Sequence, residues 1–309
     1  KNKILVTGSA GFIGYHLCKS LLNDNFDVLG IDNINDYYNV NLKKSRLNEL
    51  RKNKNFIFEK IDIANRESLS KSFIKFQPSI VVNLAAQAGV RYSIENPYEY
   101  MNSNLSGFLN IIELCRQNTV KNFVYASSSS VYGGNKKSLF SENDRVNNPI
   151  SFYGATKRAN ELIAYSYSYL YKLKTTGLRF FTVYGPWGRP DMAMFIFTKN
   201  IFEGKPIPVF NNGKMKRDFT FIDDIINGTK AAINKNYKCQ VRWYDYWTSN
   251  YLRNLSGNKN KYEYSFSYDP NTLNCRFNNA TTYRFEFWSR PNARTEDTSG
   301  SGLAKSTPS

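Results

Sequence analysis

Between an apolar stretch at residues 3–6 and a segment of helical spacing at 12–22 stands the run Thr7-Gly8-Ser9-Ala10-Gly11-Phe12-Ile13-Gly14. Its glycines fall at the first, fourth and seventh positions of a seven-residue span. A glycine run of this kind between a strand and a helix, with an acid about twenty residues on, fits a dinucleotide-binding turn. Gly8 allows the tight turn, Gly11 lets backbone N–H groups approach a pyrophosphate, and Gly14 lets helix and strand pack closely. The positive end of the helix then faces the phosphates. The acid is Asp32, closing the next apolar run at 26–31. A carboxylate there accepts from a ribose 2′-hydroxyl and repels a 2′-phosphate, so NAD is expected rather than NADP. Asp62, with Ile63, closes a third strand at 56–61 and is placed to meet the adenine.

The rest of the first half repeats the unit. A helix is expected at 67–76, a strand at 79–84, a long helix at 97–117, a strand at 122–126, a second long helix at 151–171 and a strand at 177–181. Strands alternating with helices imply a parallel sheet with crossovers. The expected class is α/β, a doubly wound parallel sheet of the Rossmann kind, with ligands at the carboxyl ends of the strands. Both long helices carry apolar and aromatic stripes, read most simply as core packing.

Composition narrows the function. The net charge is +17. No helix-turn-helix, zinc-finger or RNP pattern accompanies it, so no nucleic-acid partner is expected. Anionic ligands such as a dinucleotide and a nucleotide-diphosphate sugar suit a positive cleft. His16 is the only histidine, which argues against His-based zinc sites and Ser-His-Asp catalysis, and no metal is expected. Cys18, Cys115, Cys239 and Cys275 form no C-x-x-C pair. No apolar run approaches the ~20 residues needed to span a bilayer. Lys1 stands directly before the first strand, and a cytoplasmic protein without targeting segment or membrane partner is expected.

Tyr153 and Lys157, in Tyr-Gly-Ala-Thr-Lys, lie four apart on the second long helix and so share a face. A free phenol titrates near ~10, too high for a base at neutral pH. A Lys ammonium beside it, together with a cationic nicotinamide, favours the phenolate. The preceding strand runs into Ala126-Ser127-Ser128-Ser129-Ser130-Val131-Tyr132-Gly133.

With these segments, and with Leu84-Ala85-Ala86-Gln87-Ala88-Gly89-Val90-Arg91-Tyr92-Ser93, Leu178 to Pro186 and Arg217 to Asp224, the chain resembles the extended short-chain dehydrogenase/reductases. Within them it is most similar to the 4-epimerases of UDP-glucuronate, up to about Asn234. The resemblance implies that Tyr153 takes the proton from the sugar 4-hydroxyl while C4 gives hydride to NAD. Ser128 bonds the same oxygen, the 4-keto sugar turns over, and hydride returns to the other face. It implies cofactor contacts from Gly8, Gly11, Phe12, Ile13, Gly14, Asp32, Asn33, Asp62, Ile63, Leu84, Ala85, Ala86, Tyr153 and Lys157. Related dehydratases carry an acid just after the catalytic Ser/Thr. Here Ser129 and Ser130 fill that stretch, so simple epimerisation of UDP-glucuronate to UDP-galacturonate is implied. Thr182 stands where glucose epimerases usually have Asn, leaving room for a C6 carboxylate. Arg189 is implied at the sugar acid, Arg217 as a clamp on the diphosphate, and Arg91, Ser93, Ser128 and Ser129 near the sugar. The two long helices are implied to pair across a homodimer. The alternatives are a neutral UDP-hexose (UDP-glucose or UDP-N-acetylglucosamine) 4-epimerase and a non-catalytic NAD-binding remnant.

The expected organisation is a Rossmann domain at 1–180, a small substrate region at 181–289 that is family-like only to about 235, and a disordered tail at 290–309. Beyond Asn236 the chain is crowded with Tyr, Asn and Arg, without sustained helical or strand period. A divergent domain, a fused piece or out-of-frame translation would each produce this, and the abruptness of the change favours the last.

Overall fold

A computed structural model of the chain describes residues 2–136, 140–209 and 218–234, and the backbone of three further strands at 239–243, 266–269 and 274–277. The tail expected at 290–309 lies outside the described residues. The chain divides into two compact units, Lys1–Trp187 with Phe219–Lys261, and Gly188–Asp218 with Tyr262–Ser309.

In the first unit strands and helices alternate, with one helix, at Val40–Arg51, that was not expected from the sequence. They are β1 Lys3–Thr7, α1 Phe12–Asn23, β2 Asp27–Asp32, α2 Val40–Arg51, β3 Phe56–Lys60, α3 Arg66–Phe76, β4 Ile80–Asn83, α4 Tyr92–Glu95, α5 Pro97–Tyr100, α6 Gly107–Gln117, β5 Asn122–Ser128, α7 Phe152–Tyr171 and β6 Thr175–Phe180. The unit continues with β7 Thr182–Tyr184, β8 Phe219–Phe221, α9 Ile222–Asn234 and β9 Cys239–Trp243. The main sheet runs β3-β2-β1-β4-β5-β6-β9. Its pairs are parallel throughout. The order reverses between β1 and β4, which opens the crevice at which doubly wound sheets bind ligands.

Both faces of the sheet are covered, so its strands are apolar on both sides. Ile4, Val6, Val28, Val82, Val124 and Leu178 meet Leu17, Cys18 and Leu21 of α1, Leu47 and Leu50 of α2, and Ile222, Ile225 and Ile226 of α9. The alternate residues Leu5, Leu29, Val81, Phe123 and Tyr125 meet α3, α6 and α7 through Phe73, Phe108, Ile111, Ile112 and Ala164.

Three expectations need correction. The helix expected at 97–117 is interrupted by a π-helical stretch, Met101–Ser106, between α5 and α6. The widened turn accompanies an inward-facing Asn104, bonded to Gln87 and Thr156. Second, the stripe of α7 is only partly core, with Ala164 buried and Ile163 and Tyr167 packed against the core. Leu162, Tyr165, Tyr169 and Leu170 are exposed, while the buried face carries Thr156, Lys157, Asn160, Glu161 and Ser168. Third, β9 exists where no strand period was read, parallel to β6 with Thr175 opposite Cys239 and Arg179 opposite Trp243. Its signal, Cys239, Val241 and Trp243 alternating with Gln240 and Arg242, spans only five residues among many aromatics.

The second unit contains α8, Ala193–Phe202, and an antiparallel pair, β10 Phe266–Asp269 with β11 Asn274–Phe277, again where no strand period was expected.

Candidate active site

The glycine turn is built so tightly that side chains are excluded. A Cβ on Gly14 would lie 2.0 Å from the Gly8 carbonyl oxygen, and one on Gly8 would lie 2.8 Å from the Ala85 nitrogen. Gly8 also has φ of +71°, in the left-handed region that favours glycine. Its N–H donates to the Ile31 carbonyl at 2.7 Å, and the Gly11 N–H to the Gly8 carbonyl at 3.0 Å. Gly11 caps α1 without a side chain, so no side chain occupies the helix's positive end. This cradle fits a pyrophosphate.

The β1/β4 crevice is stitched by Thr7, whose hydroxyl donates to Asn83 Oδ1 at 2.6 Å and accepts from the Ala85 N–H at 3.1 Å. Leu84 and Ala85, just after β4, therefore lie against the glycine turn, and Ala86 follows them. At the end of β2, Asp32 is 8 % exposed and accepts from the backbone N–H groups of Ala10 at 3.1 Å and Ile34 at 2.8 Å. Burial pushes its carboxyl up, against those two bonds and the positive charges of Lys43 and Arg46. Asn33 donates to Asp62 Oδ2 at 2.9 Å, while Ile63 is buried against Gly107. Phe12 is buried and Ile13 half-buried in the first turn of α1.

On α7, Lys157 is 3 % exposed, and its Nζ donates to the Ala126 carbonyl of β5 at 2.8 Å. Burial pulls its pKa down to about 8. Nζ lies 6.0 Å from the centre of the Tyr153 ring. That ring meets the edge of Tyr100 at 6.0 Å. Two residues beyond Ala126, Ser128 ends β5 and accepts from the Ser130 N–H at 3.1 Å. Ser129 opens a 3₁₀ turn that ends at Tyr132. The start of α7 abuts this turn, since a Cβ on Gly154 would lie 2.7 Å from the Ser130 carbonyl oxygen. The carboxyl-end edge of the sheet thus gathers a tight glycine cradle, a buried acid and a Tyr–Lys pair beside a serine turn.

The sequence profile of the NAD dependent epimerase/dehydratase family matches residues 4–241. The chain belongs to that family. Protein CapI of Staphylococcus aureus is 55 % identical over 241 residues, 78 % of this chain and 72 % of that protein. The UDP-glucuronate 4-epimerase of Thermodesulfobacterium geofontis is 51 % identical over 229 residues, 74 % of this chain and 71 % of its own. Among solved structures, the UDP-glucuronic acid 4-epimerase of Bacillus cereus, in complex with UDP-glucuronic acid and NAD, superimposes with a TM-score of 0.73 at 36 % identity. That match covers 83 % of this chain and 84 % of that one. The doubly wound fold expected from the sequence is therefore the fold of an epimerase family, and the cradle described above fits the family's dinucleotide.

The residues expected at the sugar are less uniformly placed. Thr182 is half-buried at the start of β7, opposite Phe219. Arg91 is exposed at the start of α4, and Ser93 is buried with its hydroxyl donating to the Val90 carbonyl at 2.6 Å. Arg189 belongs to the second unit, where its guanidinium pairs with Asp191, Nε donating to Oδ1 at 3.0 Å. Arg217 lies outside the described residues.

Several residues that brace these segments carry no clear signal in the sequence. Asn104 and Thr156 hold the segment after β4 through Gln87. Arg46 donates from Nη1 to the Ala10 carbonyl at 2.9 Å and from Nη2 to that of Trp187 at 2.5 Å. Gly154 stood inside the Tyr-x-x-x-Lys motif, and a glycine in a helix's first turn was its only signal.

Proposed function

We propose that this chain is an NAD-dependent 4-epimerase acting on UDP-glucuronate to give UDP-galacturonate. The observation that carries the reading is the Tyr153–Lys157 pair on α7, its ammonium buried against β5, on the sheet edge that also carries the glycine cradle and Asp32.

In this reading Gly8, Gly11 and Gly14, with Phe12 and Ile13, hold the pyrophosphate. Asp32 and Asn33 receive the adenosine ribose, Asp62 and Ile63 flank the adenine, and Leu84, Ala85 and Ala86 line the path towards the nicotinamide. NAD held there would supply the hydride acceptor and donor for C4 of the sugar. Tyr153 takes the 4-hydroxyl proton at its phenolate oxygen and gives it back after the face is exchanged. Lys157 keeps that phenolate accessible near neutral pH through its charge. Ser128 donates to the same sugar oxygen and orients it, and Ser129 lies beside it. Ser129 and Ser130, and no carboxylate, directly follow Ser128, which favours simple epimerisation over elimination. Thr182 and Arg189 are assigned to the C6 carboxylate, Arg91 and Ser93 to the sugar, and Arg217 to the diphosphate, on the family resemblance.

The assembly proposed is a homodimer. Leu162, Tyr165, Tyr169 and Leu170 form one exposed stripe on α7, and Met101 and Leu109 are exposed on the neighbouring helical path. Exposed apolar stripes on adjacent helices suit a helix-to-helix interface. A role in polysaccharide biosynthesis and a cytoplasmic location belong to the same reading, and the buried free thiols Cys18 and Cys115 suit a reducing compartment. Among the described residues no helix is long and apolar enough to cross a membrane. The domain division proposed is a cofactor domain at 1–180 and a substrate region at 181–289.

The test is incubation of the purified chain with UDP-glucuronate, without added NAD, followed by NMR. Appearance of UDP-galacturonate, slowed about 10³-fold in Tyr153→Phe, is expected. A chain that binds NAD yet converts nothing would instead be a non-catalytic remnant.

A further inference from the structure

One buried ion pair stands outside the roles assigned so far. Glu161 and Arg179 are 2 % and 3 % exposed. Arg179 of β6 donates to Glu161 of α7 through both arms of its fork, Nε to Oε1 at 2.8 Å and Nη2 to Oε2 at 3.0 Å. Arg158 Nη1 donates to Oε2 at 2.9 Å. The pair reaches the serine turn from both sides. The Ser127 hydroxyl, next to Ser128, donates to Glu161 Oε1 at 2.6 Å. At the far end of the turn, Arg179 Nη1 donates to the Tyr132 hydroxyl at 3.1 Å, and the guanidinium lies 4.9 Å from the centre of that ring. Glu161 follows Lys157 by four residues and Tyr153 by eight, so the three share one face of α7.

We propose that Glu161 and Arg179 are positioning residues, a buried clasp that fixes the Ser128–Ser129 turn relative to Tyr153 and Lys157. The inference rests on the epimerase reading and deepens it. A packed apolar pair would fill the same volume, and replacing buried ion pairs by apolar residues often leaves stability unchanged or raises it. What apolar residues cannot supply is direction: a bidentate fork fixes an angle as well as a distance. Burial alone would raise the Glu161 carboxyl, but Arg179, Ser127 and Arg158 outweigh it and hold the group below the usual carboxylate range. The clasp is therefore charged and fully bonded.

The test compares the NAD-loaded parent with the double variant Glu161→Met/Arg179→Met. Two readouts are taken: steady-state kinetics on UDP-glucuronate, and titration of the Tyr153 ring by NMR of ¹³C-labelled tyrosine, assigned through Tyr153→Phe. The double variant is expected to fold and retain NAD, with kcat lowered roughly 10²-fold, as a misplacement of about 1 Å can produce. KM should stay within about twofold, and the Tyr153 midpoint should move up. An unchanged kcat, a change in KM alone or an unmoved Tyr153 midpoint overturns the inference. Arg179→Lys, which keeps the charge and loses the fork, covers a double variant that fails to fold. It is expected to lower kcat and raise the Tyr153 midpoint, and parental values in both would overturn the clasp. A parent that does not convert UDP-glucuronate would refute the epimerase reading by itself, while the Tyr153 titration would still decide the clasp.

Discussion

The edge of the sheet where β1, β4, β5 and α7 meet and the stretch around α8 are built on opposite plans. At the sheet edge, polar groups are buried and bonded: Thr7 to Asn83, Asp32 to two backbone N–H groups, Lys157 to Ala126, Arg179 to Glu161. Helix α8 is Ala-Met-Phe-Ile-Phe-Thr-Lys-Asn-Ile-Phe and buries none of its residues, with Phe202 88 % exposed. The difference separates two kinds of specification. The edge is over-determined, because each group is held by several others, and it should be sensitive to single atoms. The α8 stretch is held among the described residues mainly by exposed pairs, such as Lys199 and Lys205 with Glu203, and should tolerate change more readily.

Substitutions that remove one atom or add one methyl test this contrast most sharply. Tyr153→Phe should lower kcat about 10³-fold, within the range of general-base contributions, while fold and NAD content stay intact. Steady-state kinetics with NAD quantified after denaturation would check it, and a loss below tenfold would remove Tyr153 from its role.

A methyl group provides the next comparison. Gly14→Ala drives a Cβ onto the Gly8 carbonyl, which neither backbone segment can relieve, and should weaken NAD roughly 10²-fold. Gly204→Ala, after α8, meets nothing within 4 Å and bears only its φ of +64°. It should cost about 1 kcal/mol of stability and leave NAD affinity alone. Calorimetric NAD titration of both variants decides the matter, and equal effects would break the contrast.

Lys157 carries an opposition between stability and chemistry. Its pKa is lowered from 10.5 to about 8 by burial. Below pH ~8 the folded state bears the full penalty of a buried charge, on the order of 3 kcal/mol. Between about 8 and 10.5 the unfolded chain binds more protons than the folded one, so stability rises with pH across that window. Lys157→Met should therefore stabilise the chain at pH 7 by about 2 kcal/mol, the bond to Ala126 being worth about 1 kcal/mol. The gain should shrink towards pH 10, and activity should be lost. Urea unfolding at several pH values tests both the sign and the window.

The smallest effect belongs to α8. Phe202→Ser should change stability by less than about 0.5 kcal/mol, whereas Phe73→Ala, fully buried under the sheet, should cost about 3–5 kcal/mol.

The same contrast explains what could be read in the sequence. The first six strands, the glycine cradle, Asp32 and the Tyr153–Lys157 pair were legible because each is a local pattern whose spacing carries its geometry. Asn104, Arg46, Glu161 and Arg179 were not. Their partners lie far away in the chain, as Arg46 and Trp187 do, and a single polar residue in an apolar segment does not name the group it will meet. The π-helical turn at Met101–Ser106 is a one-residue change of pitch that a period of 3.6 does not reveal. The stripe of α7 was misread in part because its buried face is largely polar, from Thr156 to Glu161, although Ala164 faces the core. Strand β9 was hidden by its length, since five alternating residues carry little weight beside many aromatics.

The central claim is that hydride leaves C4 of the sugar and returns to it within one closed site. The direct test is UDP-glucuronate deuterated at C4, converted by the purified chain in ordinary water. Product UDP-galacturonate that keeps its deuterium at C4 is the predicted result. Loss of the label to solvent would mean that C4 is inverted by proton exchange, and would contradict the account.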